Sequence, residues 1–213
     1  MDNFLKEISN WSSSMKLGTA IALGGVVLLG TSILYANSQN TSSISTSTNP
    51  TITIEPIVNE QIEDIVRPYT VNCDVAHYFY EETDTAEMKE KSIISVPGSN
   101  RTYMLSEGCD YTYNGDTFSV VASVSGVVSD KLIDPTFGNI IIVSHESGTK
   151  FIYSSLSECK VNKGQEVAQG DVIGISGTSL YTSELGNSLH FEIIKEGKHL
   201  NPEKLYSTSV EQL

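Results

Sequence analysis

Hydrophobic and polar positions alternate differently in three parts of the chain. Residues 17–36, LGTAIALGGVVLLGTSILYA, carry no charge. At about 1.5 Å per residue, that stretch would span about 30 Å, the thickness of a bilayer's hydrocarbon core. The pattern predicts one transmembrane helix. It is longer than the roughly 7–15 apolar residues of a signal peptide, and a long polar front precedes it, so it reads as a retained anchor. Lys6 and Lys16 come before the span, and no Lys or Arg follows until Arg67. That bias places residues 1–16 in the cytoplasm and everything after the span outside. Residues 37–54, NSQNTSSISTSTNPTITI, are dominated by Ser, Thr and Asn without charge. Such a composition cannot bury a core, and residues 37–58 read as a tether whose coil reaches roughly 20–25 Å. Apolar periodicity returns from about residue 59, so residues 59–213 are expected to form one folded, extracytoplasmic domain.

Within that domain, short strand-like runs dominate. Residues 71–80, VNCDVAHYFY, are β-branched and aromatic, and Asp84 with Glu87 resembles a capping box opening a short helix through Lys91. Further apolar runs at 118–124, 127–128, 139–145, 150–154, 171–176 and 189–194 are divided by turns at Gly115, Gly126, Gly148, Gly164, Gly170, Gly177 and Gly186. With no strand–helix–strand rhythm, the spacing predicts a mainly-β fold, an antiparallel β-sandwich or open barrel. Residues 161–177, VNKGQEVAQGDVIGISG, place two glycine turns between Val-bearing strands and read as a tight hairpin.

Charge narrows the function. A formal net charge of −13 repels a phosphate backbone, so nucleic-acid binding is excluded. Cys73, Cys109 and Cys159 are widely spaced, which gives neither a zinc-ribbon pattern nor a disulfide scaffold. No GxSxG elbow, GxxxxGK[ST] loop or HExxH helix is present.

Five blocks in order, SEGCDY, VVASVSGVV, FGNIIIVSHESGTKFIYSSLS, VNKGQEVAQGDVIGISG and GNSLHFEI, together resemble the LytM or lysostaphin-type metallopeptidase family. The resemblance implies a zinc held by the His and Asp of an H-x-x-x-D motif and by the second His of an H-x-H strand, with two further His residues for catalysis. A catalytic zinc needs three protein ligands and an open position for water. Carried onto this chain, the first ligand position holds Ser106 and the next holds Asp110. The H-x-H strand becomes Ser188 and His190, and the remaining catalytic position is Ser155. A neutral hydroxyl is a poor zinc donor, so the expectation is a non-enzymatic domain with no catalytic, cofactor-binding or metal residues.

Other donors fare no better. Cys109 neighbours Asp110 and should face the other way along a strand. His145 at a strand end, His77 among aromatics and His199 in a polar turn are expected to be structural, and Asp110 with His190 to form a hydrogen-bonded pair.

The N-terminal features, the segment HYFYEE, the YSSLS block and the ending GKHLNPEKLY extend the resemblance to the stage II sporulation protein Q family. That resemblance implies a forespore membrane protein that binds stage III sporulation protein AH of the mother-cell membrane and contributes to an intercellular channel. Two other functions compete with it: a peptidoglycan hydrolase with an unusual metal site, and a wall-binding or hydrolase-activating module.

Overall fold

The computed structural model describes residues 62–96 and 102–213; the span expected at 17–36 and the linker expected at 37–58 lie outside the described residues. Among the described residues no helix is long and apolar enough to cross a membrane. The chain order is β1 (Asp74–His77), α1 (Ala86–Glu90), β2 (Ile93–Ser95), β3 (Tyr103–Leu105), β4 (Cys109–Thr112), β5 (Ser119–Val121), β6 (Gly126–Asp134), β7 (Gly138–Ser144), β8 (Lys150–Cys159), β9 (Glu166–Val167), β10 (Val172–Ser176), β11 (Ser188–Lys195) and β12 (Lys198–Leu200). Short 3-10 turns follow at Pro202–Lys204 and Val210–Gln212.

The predicted mainly-β, antiparallel character holds, but the sheet is branched. Its path runs β1-β4-β11-β8-β7-β6-β9, with β10 and β5 joined through β8 and with β12 on β11. The branch arises because β8 is long: residues 150–156 pair with β7 and β11, and the last residues pair with β10.

Register explains the core. Ile141 lies opposite Tyr153, Tyr153 opposite Phe191, and Phe191 opposite Cys109, a row across four strands whose members are all fully buried. Val143, Phe151 and Ile193 form the next row. Side chains two apart share a face, so these rows stack into one apolar layer, each large member contributing about 1.5–3 kcal/mol by burial. The same parity turns Asp110, His190 and Ser154 to the opposite face, where they too are cross-strand neighbours.

Several boundaries differ from expectation. The strand expected over 71–80 is confined to β1, because its pairing is irregular between Val75 and His77 and the chain then leaves β4: the Tyr78 amide turns to Lys91 and the Tyr80 amide to Ser106. The helix is capped by Thr85, whose Oγ1 accepts from the Met88 amide at 3.3 Å, one residue later than the predicted cap Asp84. β6 runs far past the expected 127–128. Its second half exposes Leu132 and Ile133, which hid the strand from an apolar-run reading. Residues 161–177 are not a hairpin: β9 pairs with β6, whereas β10 pairs with β5 and β8. Turn residues reverse the chain there, yet the two strands are claimed by different neighbours.

Candidate functional site

The polar face of β4 and β11 carries the site. His190 and Asp110 are register partners, and His77 of β1 is also paired with Asp110 from the other side of β4. Gly108 permits this approach, since a Cβ there would stand 2.4 Å from the Phe191 carbonyl oxygen and 3.0 Å from His190 Cε1. Asp110 is fully buried. Its Oδ1 accepts from His190 Nδ1 at 2.8 Å, and its Oδ2 accepts from His77 Nδ1 at 2.9 Å.

The network continues outward. His190 Nε2 lies 3.2 Å from Glu192 Oε1, Glu192 Oε2 lies 2.9 Å from His199 Nδ1, and His199 Nε2 lies 3.5 Å from Glu107 Oε2. Carboxylates and imidazoles therefore alternate from β1 through β4 and β11 to β12. Burial disfavours charge at each inner member, but the partners outweigh it. Asp110 is held below the ordinary carboxylate range by His190 and His77. Burial pushes the His190 imidazolium down, yet Asp110 and Glu192 on either side lift it to about 10. Glu192 is lowered to about 2 despite its burial, by His190 and His199.

A pH profile follows from these directions. His190, raised from 6.5 to about 10, adds stability that is complete below pH 6.5 and lost as pH rises toward 10. Glu192, lowered from 4.5 to about 2, adds stability that is present above pH 4.5 and lost as pH falls toward 2. Urea midpoints measured from pH 2 to 10 are expected to peak between about 4.5 and 6.5, with the alkaline decline abolished by His190→Gln. A flat profile from 6.5 to 10 in the parent would contradict the ion chain.

The donor set does not fit zinc. Two donors held about 2.1 Å from a tetrahedral ion stand about 3.4 Å apart, whereas Asp110 Oδ1 and His190 Nδ1 are at direct hydrogen-bond distance, 2.8 Å. Both Asp110 oxygens and both His190 nitrogens are engaged. Among the described residues, no group of three or more His, Cys, Asp or Glu side chains converges to hold a metal ion.

The serines that the resemblance sets at histidine positions are also bonded. Ser106 Oγ donates to the Gly108 carbonyl at 2.8 Å. Ser155, in the left-handed region at φ 62°, donates through Oγ to Ser179 Oγ at 2.8 Å, and Ser188 donates to Thr182 Oγ1 at 2.8 Å. Ser179 and Thr182 lie 2.9 Å apart, which closes the hydroxyl cluster on itself. Between these two residues, Tyr181 is only 4% exposed, with its ring centroid 4.8 Å from His190 and 4.6 Å from Phe137. The 178–186 segment thus covers the groove that Ser155, Ser188 and His190 line.

The remaining residues lie elsewhere. Cys109 is in the core with its thiol pushed up to about 12 by burial, and Cys73 and Cys159 are likewise unpaired. His145 accepts from the Ser147 amide at 3.1 Å, away from the network. His199 sits on β12, not in a turn as expected. Sequence reasoning missed His77 as the second partner of Asp110, since no spacing rule joins β1 to β4. It also missed Glu192, although that residue lies two beyond His190 on one strand and so shares its face.

Comparison with known proteins accords with this geometry. The model of peptidase family M23 matches residues 105–202. Stage II sporulation protein Q of Bacillus subtilis (strain 168) is 39% identical over 148 residues, covering 68% of this chain and 51% of the relative. The peptidoglycan DD-endopeptidase ShyA of Vibrio cholerae is 34% identical over 98 residues, 43% of this chain and 22% of that protein. The chain therefore spans about half the length of the first relative and under a quarter of the second. A solved structure described as the SpoIIQ–SpoIIIAH pore forming complex superposes with a TM-score of 0.67 at 38% identity, covering 71% of this chain and 96% of that one. A likeness of that depth to the sporulation protein, over a scaffold that the peptidase family M23 model also matches, means that the chain belongs to the stage II sporulation protein Q family.

Proposed function

We propose that this protein is a non-catalytic docking subunit: residues 17–36 anchor it in the forespore membrane with residues 1–16 in the cytoplasm, residues 37–58 tether it, and the domain at 59–213 meets stage III sporulation protein AH across the intermembrane space. The observation that carries the reading is the filled groove. Asp110 and His190 are spent on each other, Ser106 on the Gly108 carbonyl, and Ser155 and Ser188 on the covering segment, so each already has a partner within the protein. Serine at three of the five zinc or catalytic positions fits the same conclusion. The related solved complex, described as pore forming with SpoIIIAH, supports the partner and a channel role. Tethering two partners in a narrow gap raises their effective concentration, so moderate contacts suffice.

The contact is placed at an open sheet edge. β6 pairs with β9 only at Gly126 and Val127, and beyond Val128 its outer side has no strand partner among the described residues. Ile133 there is 82% exposed and Leu132 is exposed as well. Unpaired backbone groups beside exposed apolar side chains suit strand addition by a partner. Leu132→Lys with Ile133→Lys is expected to weaken binding to purified SpoIIIAH ectodomain at least about tenfold by calorimetry, since interface anchors contribute more than about 1 kcal/mol each. Undiminished binding would remove the contact from this edge. Release of peptides from sacculi by the parent protein would instead favour the hydrolase, and retention on sacculi the wall-binding module.

A further inference from the structure

The first described residues, 62–69, belong to no named strand, yet both flanks are bonded into the domain. On one side, Ile65 N–H donates to the Thr208 carbonyl, Ser207 N–H to the Ile65 carbonyl and Val210 N–H to the Glu63 carbonyl, each at 2.9 Å. On the other, Val66 N–H donates to the Ser123 carbonyl at 3.1 Å and Val121 N–H to the Pro68 carbonyl at 3.0 Å. The Glu63 carboxylate accepts from the Ser125 amide at 2.7 Å and from its hydroxyl at 2.8 Å. Ile65 is buried in the core alongside Val210.

Arg67 completes the arrangement. Its two terminal nitrogens donate to the two oxygens of Glu203 at 2.8 and 3.0 Å, Nη1 also donates to Tyr69 Oη at 2.9 Å, and the guanidinium carbon lies 4.4 Å from the Tyr206 ring centroid. Glu203 also accepts from Tyr111 Oη at 2.8 Å, which ties the grip to β4 and the core. A forked guanidinium–carboxylate pair fixes direction as well as distance.

We propose that residues 62–69 form a load-bearing clamp: tension arriving along the N-terminal chain is shared at once by the C-terminal tail, the 121–125 segment and β4, so the lead-in segment does not peel away first. The segment is held from both flanks, so bonds on the two sides carry load in parallel. The need for such a clamp rests on the tethered reading proposed above, in which the domain is pulled between an anchor and a partner. The clamp itself is a property of the fold and is measured without either.

In the test, the full chain in detergent is pulled in an optical trap between its amino terminus and a click-chemistry handle at Lys163. The parent domain is expected to unfold with the lead-in segment still attached. Arg67→Ala and Glu203→Gln are expected to release that segment early, at about half the parent's rupture force. The early event should lengthen the chain by about 25–30 Å, the extended span of about eight residues. Lys91→Ala, which removes a surface pair with Glu87 far along the chain, should match the parent. Thermal melts confirm that each variant starts folded. Arg67→Ala and Glu203→Gln rupturing at the parent's force, with no early event, would overturn the clamp. The trap contains no partner, so this result is separate from the binding loss expected of the Leu132 and Ile133 substitutions.

Discussion

Asp110→Asn is expected to destabilise the domain by about 3–5 kcal/mol, the range for breaking a buried ion pair from one side. The size follows from what remains. Asparagine keeps the volume and one carbonyl oxygen, but it removes the charge that two imidazoles face from opposite sides. His190 would then be a buried imidazolium compensated by Glu192 alone, or would give up its proton and leave the buried Glu192 with His199 as its one remaining imidazole partner among the described residues. Replacing both partners is expected to cost less than the sum of the single changes, because neither Asp110 nor His190 is then left facing the other's missing charge, and Glu192 keeps His199. Urea unfolding of Asp110→Asn, His190→Gln and the double variant, near pH 6 where His190 and Glu192 both carry their charges, measures the coupling directly. A loss under about 1 kcal/mol for Asp110→Asn would show that the network is incidental to folding.

The role implied for Asp110 is that of a strut. In a metallopeptidase the metal ties the ligand strands together; here a carboxylate bonded directly to two imidazoles ties β1, β4 and β11. Glu192 then extends the tie to β12 through His199. Such a chain explains how a buried carboxylate and imidazole are accommodated on this face without an unpaired polar group.

Part of this was legible from the sequence. Strand alternation alone put Cys109 and Asp110 on opposite faces, and the cross-strand rows place one in the core and the other against His190. The block order pointed to the scaffold, and the pairing of Asp110 with His190 followed from their places on it. What was not legible depended on contacts distant in sequence. His77 reaches Asp110 only because β1 pairs with β4, and no local pattern encodes that pairing. β6 was read as two residues because its outer half carries Asp, Lys and exposed apolar side chains, the composition of an edge and not of a buried strand. The 161–177 segment has the turns of a hairpin, but its two strands find better partners in β6 on one side and in β5 and β8 on the other. Turn chemistry specifies a reversal; only the tertiary sheet decides who pairs.

Ser106→His is expected to raise zinc affinity about 100-fold over the parent, by supplying a third donor at the position that the resemblance assigns to the first ligand. The ion must first separate a pair now in direct contact at 2.8 Å and expel the proton that Asp110 and Glu192 hold on His190 up to about pH 10. Zinc uptake by this variant should therefore strengthen steeply with pH, with proton release on binding, as measured by calorimetry in two buffers of different ionisation enthalpy. Hydrolysis should not return with the metal. Ser155 and Ser188 remain hydroxyls bonded to Ser179 and Thr182, and neither can take a proton from water or steady an oxyanion as imidazole does. Adding Ser155→His and Ser188→His would force the 178–186 segment off the groove, because both side chains are fully buried beneath it. Only that triple variant is a candidate for releasing peptide from sacculi. Equal, stoichiometric zinc in the parent and in Ser106→His would refute the reading that two donors and a hydroxyl are too few.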